Sequence, residues 1–204
     1  MTTNFDELLG ALLAYLESCE ADPVASFLAD IDWTMPARAL EPKAIASSSL
    51  LDRTIFLTSD ATRPLALALA ERRGELRWGQ TYTAADFGQN FIDNYGWVEL
   101  FGTRGHFVNE TVAAGFLVLG PGTEYPDHHH LAEELYIPLT GGTEWRRGDE
   151  AFRLRGAGEV VHHASNVNHA MRTGEAPLLA LYLWRGGPLA AKSTVTGTAM
   201  QARG

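Results

Sequence analysis

A single cysteine, Cys19, stands in the 204 residues, so neither an intramolecular disulfide nor a thiolate metal cluster is available. Cationic residues are scarce: 16 Lys and Arg face 25 Asp and Glu, a formal net charge of −9. Clustered basic residues are needed to displace counterions from phosphates, so this balance argues against a nucleic-acid partner. No apolar run reaches the roughly 18 residues of a membrane helix. The first residues, Met1 to Glu7, carry no basic segment ahead of an apolar core, so a secretory signal is not expected and the cytoplasm is the default compartment. Histidine is missing from the first 105 residues. All seven lie between His106 and His169, five of them in the runs His128-His129-His130 and His162-His163.

What is present changes character along the chain. Phe5, Leu8, Leu9, Leu12, Leu13 and Leu16 recur at helical spacing, one apolar stripe with Thr3 or Asn4 as its cap. Further helices are expected over 22–31, with Pro23 in the first turn, and over 61–73, with Gly74 just past the end. The aromatic stretch Asp86 to Leu100 suits a helix or loop packed on the next module. Glycine then shifts the balance, with six of its twenty copies in 1–104 and fourteen in 105–204. Short apolar runs at 112–119, 134–139, 143–146, 151–155, 159–163 and 177–184 are bounded by turn residues, the pattern of an antiparallel sandwich or barrel, with a hairpin turn at Arg147-Gly148-Asp149. The reading is a single domain, mainly β: a helical region over 1–104, a small antiparallel barrel over 105–190, and a flexible tail over 191–204.

The histidines fall in the β half. Alternate residues of a strand share a face, so His128 and His130 can point together while His129 points away. Glu134 opens the next apolar strand, with Tyr136 on its face and Glu133 turned outward to solvent. A neighbouring strand would bring His169 across. Imidazoles with one carboxylate suit a divalent transition ion (Zn, Fe, Mn, Ni or Co) with positions left open for a substrate. His106 reads as a loop residue, at least one of His162 and His163, on opposite faces of one strand, as barrel or surface, and Cys19 as a small apolar side chain.

The spacing Gly122-x5-His128-x-His130-x3-Glu134-x6-Gly141 resembles the first cupin motif at every defined position. The segment from Gly158 to His169 resembles the second, departing from it at Ala164-Ser165 and Asn168, where prolines are common. Within the cupins, His130-x3-Glu134-x-Tyr136 with a later His169, an upstream Tyr125 and His128, and a late Trp184 resembles the dimethylsulfoniopropionate (DMSP) lyases of the DddQ type. The resemblance implies a double-stranded β-helix, a bound metal, and cleavage of DMSP, a small zwitterionic sulfonium, to dimethyl sulfide and acrylate. It implies His130, Glu134 and His169 as ligands, with Tyr136 bound to or beside the ion and His128 either a fourth ligand or a substrate contact. Trp184 and Tyr125 are the matching substrate contacts.

The chemistry of that reaction agrees with these residue types. Removing the proton α to a carboxylate while the β C–S bond breaks needs charge stabilisation by a Lewis acid and an anionic base. A phenol titrates near 10, but a phenolate next to a metal is favoured electrostatically. Tyr136 is the first candidate base and Tyr125 the second. A sulfonium has no hydrogen-bond donors, so aromatic faces recognise it, and Trp184, Tyr125, Tyr82, Trp97 and Phe107 are candidates in that order. The competing readings are a mononuclear iron dioxygenase, a non-catalytic metabolite-binding cupin and a sugar isomerase, and cupins of this size occur as monomers or homodimers.

Overall fold

The computed structural model describes residues 5–197. Helix α1 (Asp6–Glu17) buries Leu8, Leu12 and Leu16 completely, each contributing about 2 kcal/mol by removal from water. The residues expected to cap it, Thr3 and Asn4, lie outside the described segment. Helix α2 (Asp22–Ala29) carries Pro23 in its first turn. Two single-turn 3₁₀ segments, Ala46–Leu50 and Ile55–Leu57, flank the short α3 (Leu51–Thr54). Then come α4 (Arg63–Arg72), α5 (Ala84–Phe87) and α6 (Gln89–Asn94). Among the described residues no helix is long and apolar enough to cross a membrane.

Eleven strands follow among the described residues: β1 (Tyr95–Gly102), β2 (Phe107–Val108), β3 (Val112–Leu119), β4 (Glu124–His129), β5 (Glu133–Pro138), β6 (Thr143–Arg147), β7 (Arg153–Arg155), β8 (Val161–His163), β9 (His169–Thr173), β10 (Leu178–Arg185) and β11 (Thr194–Val195). They form a six-stranded sheet, β2-β1-β3-β10-β5-β8, and a five-stranded sheet, β11-β4-β9-β6-β7. All pairings except β1–β2 are antiparallel.

The six-stranded sheet is buried on both faces, and the strand period of two sorts its side chains. Phe116 and Val118 of β3, Leu135 and Ile137 of β5, and Leu179, Leu181 and Leu183 of β10 pack against Leu8, Leu12, Leu16, Phe27 and Leu69 of the helices. Their sequence neighbours Leu117, Leu119, Tyr136, Ala180 and Tyr182 face the second sheet, meeting Tyr125, Trp145 and Met171. Gly115 marks the tightest approach between strands, since a Cβ there would stand 1.9 Å from the Val98 carbonyl oxygen. That position lies beside the register shift of β1 between Glu99 and Phe101.

Two expectations change. The end of the stretch read as helix or loop is a strand: β1 pairs with β3 from Tyr95 to Phe101. Its near-continuous burial hides the alternation by which a half-exposed strand is recognised. The sheet therefore begins ten residues before the boundary placed at 105. At the other end, Thr194 and Val195 pair with His129 and His128, so the segment read as a tail contributes a strand before the description ends at 197. The glycine turn is present, with Gly148 at φ 54°, but its loop runs to residue 152 before β7 begins. Cys19 is half-buried against the helix-side core and donates its S–H to the Tyr15 carbonyl at 3.4 Å.

Candidate metal centre and aromatic pocket

Glu134 and Tyr136 share the face of β5 that looks into the space between the sheets. Antiparallel register sets Glu134 between Trp184 of β10 and His163 of β8. In the opposite sheet, His128 of β4 stands across from His169 of β9, and His130 lies just past the end of β4. Both histidines and the carboxylate that had been read from spacing converge: one ligand atom from each of His130, Glu134 and His169 lies within 4.8 Å of the others.

The tautomers follow from backbone carbonyls. Nδ1–H of His130 donates to the Ala132 oxygen at 2.7 Å and Nδ1–H of His169 to the Val167 oxygen at 2.9 Å. A carbonyl only accepts, so each Nε2 of a neutral ring presents a lone pair. Those lone pairs face Glu134 Oε2 at 2.9 Å from His130 and 3.1 Å from His169. Among the described residues, the His169 Nε2 is buried and has no hydrogen-bond partner. Lone pairs converging on a carboxylate at this range repel unless a proton or a metal cation lies among them; a proton on His130 would satisfy that ring, which leaves the His169 Nε2 to be accounted for. Donors held about 2.1 Å from one ion stand about 3.0 to 3.4 Å apart, from octahedral to tetrahedral geometry, close to the two separations from Glu134. The three residues therefore fit a divalent metal ion.

Electrostatics agree. Burial pushes the Glu134 carboxyl up, but the His130 and His169 rings more than offset it and hold the group well below the usual carboxylate range. Burial lowers His130, and the Glu134 carboxylate outweighs this and raises it. Burial, and then the Glu134 carboxylate, push the Tyr136 phenol well above 10, so Tyr136 is a neutral phenol unless positive charge is added beside it.

His128 joins the site differently. It is outside the ligand triad, donates Nδ1–H to the Pro126 oxygen at 2.8 Å, and stacks on Tyr125 with ring centroids 4.0 Å apart and planes 9° from parallel. Trp184, read as a substrate wall, has a second task. Its indole N–H donates to Glu134 Oε1 at 2.5 Å, and its ring lies 4.0 Å from that of His130. Trp184 thereby turns the other carboxylate oxygen towards the two histidines. Trp184→Phe keeps an aromatic face, though a smaller one, and removes the N–H. It is expected to weaken metal affinity about 10- to 100-fold, measurable by chelator competition with the fold unchanged.

A pocket opens onto Glu134 and Tyr136, walled by Tyr125, Trp184, Trp97 and Arg104. The Arg104 guanidinium lies 4.7 Å over the Trp97 ring and is paired with the buried Glu99 at 3.1 Å. Two of the aromatic candidates lie elsewhere. Phe107 is packed in the helix-side core, and Tyr82 sits behind Tyr125, with the two hydroxyls 2.9 Å apart. His129 turns from the site and bonds to Asn168 at 3.0 Å. Glu133 turns away from the site as expected but is not solvated: it is half-buried on the helix side, bonded to His162 at 2.6 Å and Arg185 at 2.8 Å. His106 is remote, its Nε2 accepting the Arg77 backbone N–H at 3.2 Å.

One contributor was missed. His163 is buried, leaves both ring nitrogens without a hydrogen bond, and stacks on His169 at 4.1 Å and 14°. Only the β5–β8 register brings it there, and nothing in the local sequence separates it from His162.

Comparison with known proteins accords with this geometry. The family model described as dimethylsulfoniopropionate lyase matches residues 26–180. The lyase DddQ of Ruegeria pomeroyi is 32% identical over 186 residues, 90% of this chain and 92% of that protein. A putative lyase DddL of Cereibacter sphaeroides is 30% identical over 128 residues, 62% of this chain and 53% of its own length. In three dimensions the R. pomeroyi DddQ crystal structure superposes with a TM-score of 0.86 at 30% identity, covering 95% of this chain and 96% of that one. A chain from the crystal structures of the lyases RdDddP and RnDddQII gives 0.87 at 29%, covering 95% and 97%. With two histidines, a carboxylate and a phenol gathered between the two sheets of a cupin-type fold, the chain belongs to the dimethylsulfoniopropionate lyase family, DddQ type.

Proposed function

We propose that this protein cleaves dimethylsulfoniopropionate to dimethyl sulfide and acrylate by β-elimination, with His130, Glu134 and His169 holding one divalent transition metal ion. The observation that carries the reading is the placement of the Tyr136 phenol on the same strand face as Glu134, at the floor of an aromatic pocket. When bound, the ion supplies Lewis-acid stabilisation of negative charge on the substrate carboxylate and on the neighbouring phenol. Tyr136 removes the proton α to the carboxylate, and Tyr125 lines the same pocket as the alternative acceptor. Trp184 and Tyr125 present apolar aromatic surface to the sulfonium, which has no hydrogen bonds to offer. His128 backs Tyr125 through ring stacking and fixes its position in the pocket. Dimethyl sulfide leaves as a neutral molecule, so no general acid is required.

The test is gas chromatography of the headspace over purified protein given the substrate with Zn, Fe, Mn, Ni or Co in turn, under nitrogen. Dimethyl sulfide should appear with at least one metal and should vanish with a chelator. A strict requirement for oxygen would replace this reading with an oxygenase.

A further inference from the structure

Each turnover of the proposed elimination breaks one C–H and one C–S bond and forms the C=C bond of acrylate. The sulfur keeps the C–S electron pair, and one proton is left on the base. That proton must leave a buried site before the next cycle. Tyr136 interacts with Glu134, inside the proposed metal centre. Tyr125 does have an outlet. Its hydroxyl meets that of Tyr82 at 2.9 Å, both side chains being buried, and Ser193 lines the pocket beside Tyr125 as well as the groove beside Tyr82.

This chain of hydroxyls crosses from one cavity to another. Tyr125 lines the pocket above Glu134, whereas Tyr82 lines a separate open groove bounded by Ala84, Phe87, Lys192 and Val195. Ser193 lines both. On the groove side the Lys192 ammonium stands 4.9 Å from the centre of the Tyr82 ring and 3.5 Å from Asp86, a cation placed to favour electron density on that phenol.

We propose that Tyr82 and Ser193 carry the proton of each turnover from the pocket to solvent, a role that rests on the elimination reading above. A proton reaching the Tyr125 oxygen, directly from substrate or from Tyr136 through pocket water, releases the proton Tyr125 already holds to Tyr82. Tyr82 passes its own to Ser193, and Ser193 passes its own to groove water. Every oxygen accepts one proton and gives up one, so no residue ends the cycle altered. Tyr82 and Ser193 touch no reacting atom and act through Tyr125.

The experiment is steady-state kinetics of Tyr82→Phe in dilute, bulky buffer and then with added imidazole. The expected result is a fall in kcat of at least tenfold with KM nearly unchanged, and recovery that rises and saturates with imidazole, to which the native protein is indifferent. Ser193→Ala should show the same pattern more weakly. A Tyr82→Phe protein with native kcat overturns the relay, and so does a loss of activity that imidazole does not restore, since that marks a packing role. If the native protein itself releases no dimethyl sulfide with any metal, the lyase reading falls and takes the relay with it. A native protein that is active beside an unaffected Tyr82→Phe sinks the relay alone.

Discussion

Tyr136→Phe is expected to abolish dimethyl sulfide release while the protein keeps its fold and most or all of its metal. The substitution deletes one oxygen. The ring remains packed 5.0 Å from Trp145 and 6.5 Å from Tyr182, so the space between the sheets stays filled. The three protein groups that fit the ion, His130, Glu134 and His169, are untouched. Loss of a positioned general base costs on the order of 10²- to 10⁴-fold in rate. Tyr125→Phe should cost less, because its hydroxyl bonds to Tyr82 rather than to the metal-site carboxylate. The measurement is headspace dimethyl sulfide together with metal content by elemental analysis. Full activity in Tyr136→Phe would remove Tyr136 from the role of base.

His169→Ala and His130→Ala should lose metal and activity together. Each histidine is buried with its Nε2 about one metal–ligand edge from Glu134 Oε2, at 3.1 Å and 2.9 Å. Removing either leaves one imidazole and one carboxylate, too few protein donors for a tight site. A thermal signature accompanies the loss. Metal at 100 times its dissociation constant stabilises the native protein by about 2.7 kcal/mol, so a chelator should lower the native midpoint and leave that of His169→Ala unmoved. A fully metallated His169→Ala protein would show that the ion sits elsewhere.

Much of this arrangement was legible in the residues themselves, and the parts that were not share a physical cause. The stripe of Leu8, Leu12 and Leu16 and the pairing of Glu134 with Tyr136 on one face are local periodicities, and both appear as read. The spacing of His130 and Glu134 is local too, and the cupin resemblance joined that pair to the later His169. Register is not local. That Trp184 lies across from Glu134, and His163 on its other side, follows from which strands pair and at what offset. Trp184 was therefore recognised as part of the site without its bond to the carboxylate, and His163 was passed over. Strand β1 escaped for a different reason: with one side against the helices and the other against the aromatic pocket, it has no polar face to betray its period.

The doubly covered sheet also interleaves two kinds of phenotype along a single strand. On β5, Leu135 and Ile137 anchor the helical layer while Glu134 and Tyr136 face the candidate metal site and its pocket. Substitutions at adjacent positions should thus fail in different assays, one set by solubility and melting, the other by turnover in a well-folded protein. Deleting one residue ahead of Glu134 would exchange the two sets, driving a carboxylate among leucines and a leucine towards the metal. Shape and reactivity are separable here by side-chain parity, and any effort to recast the pocket can hold every second residue constant.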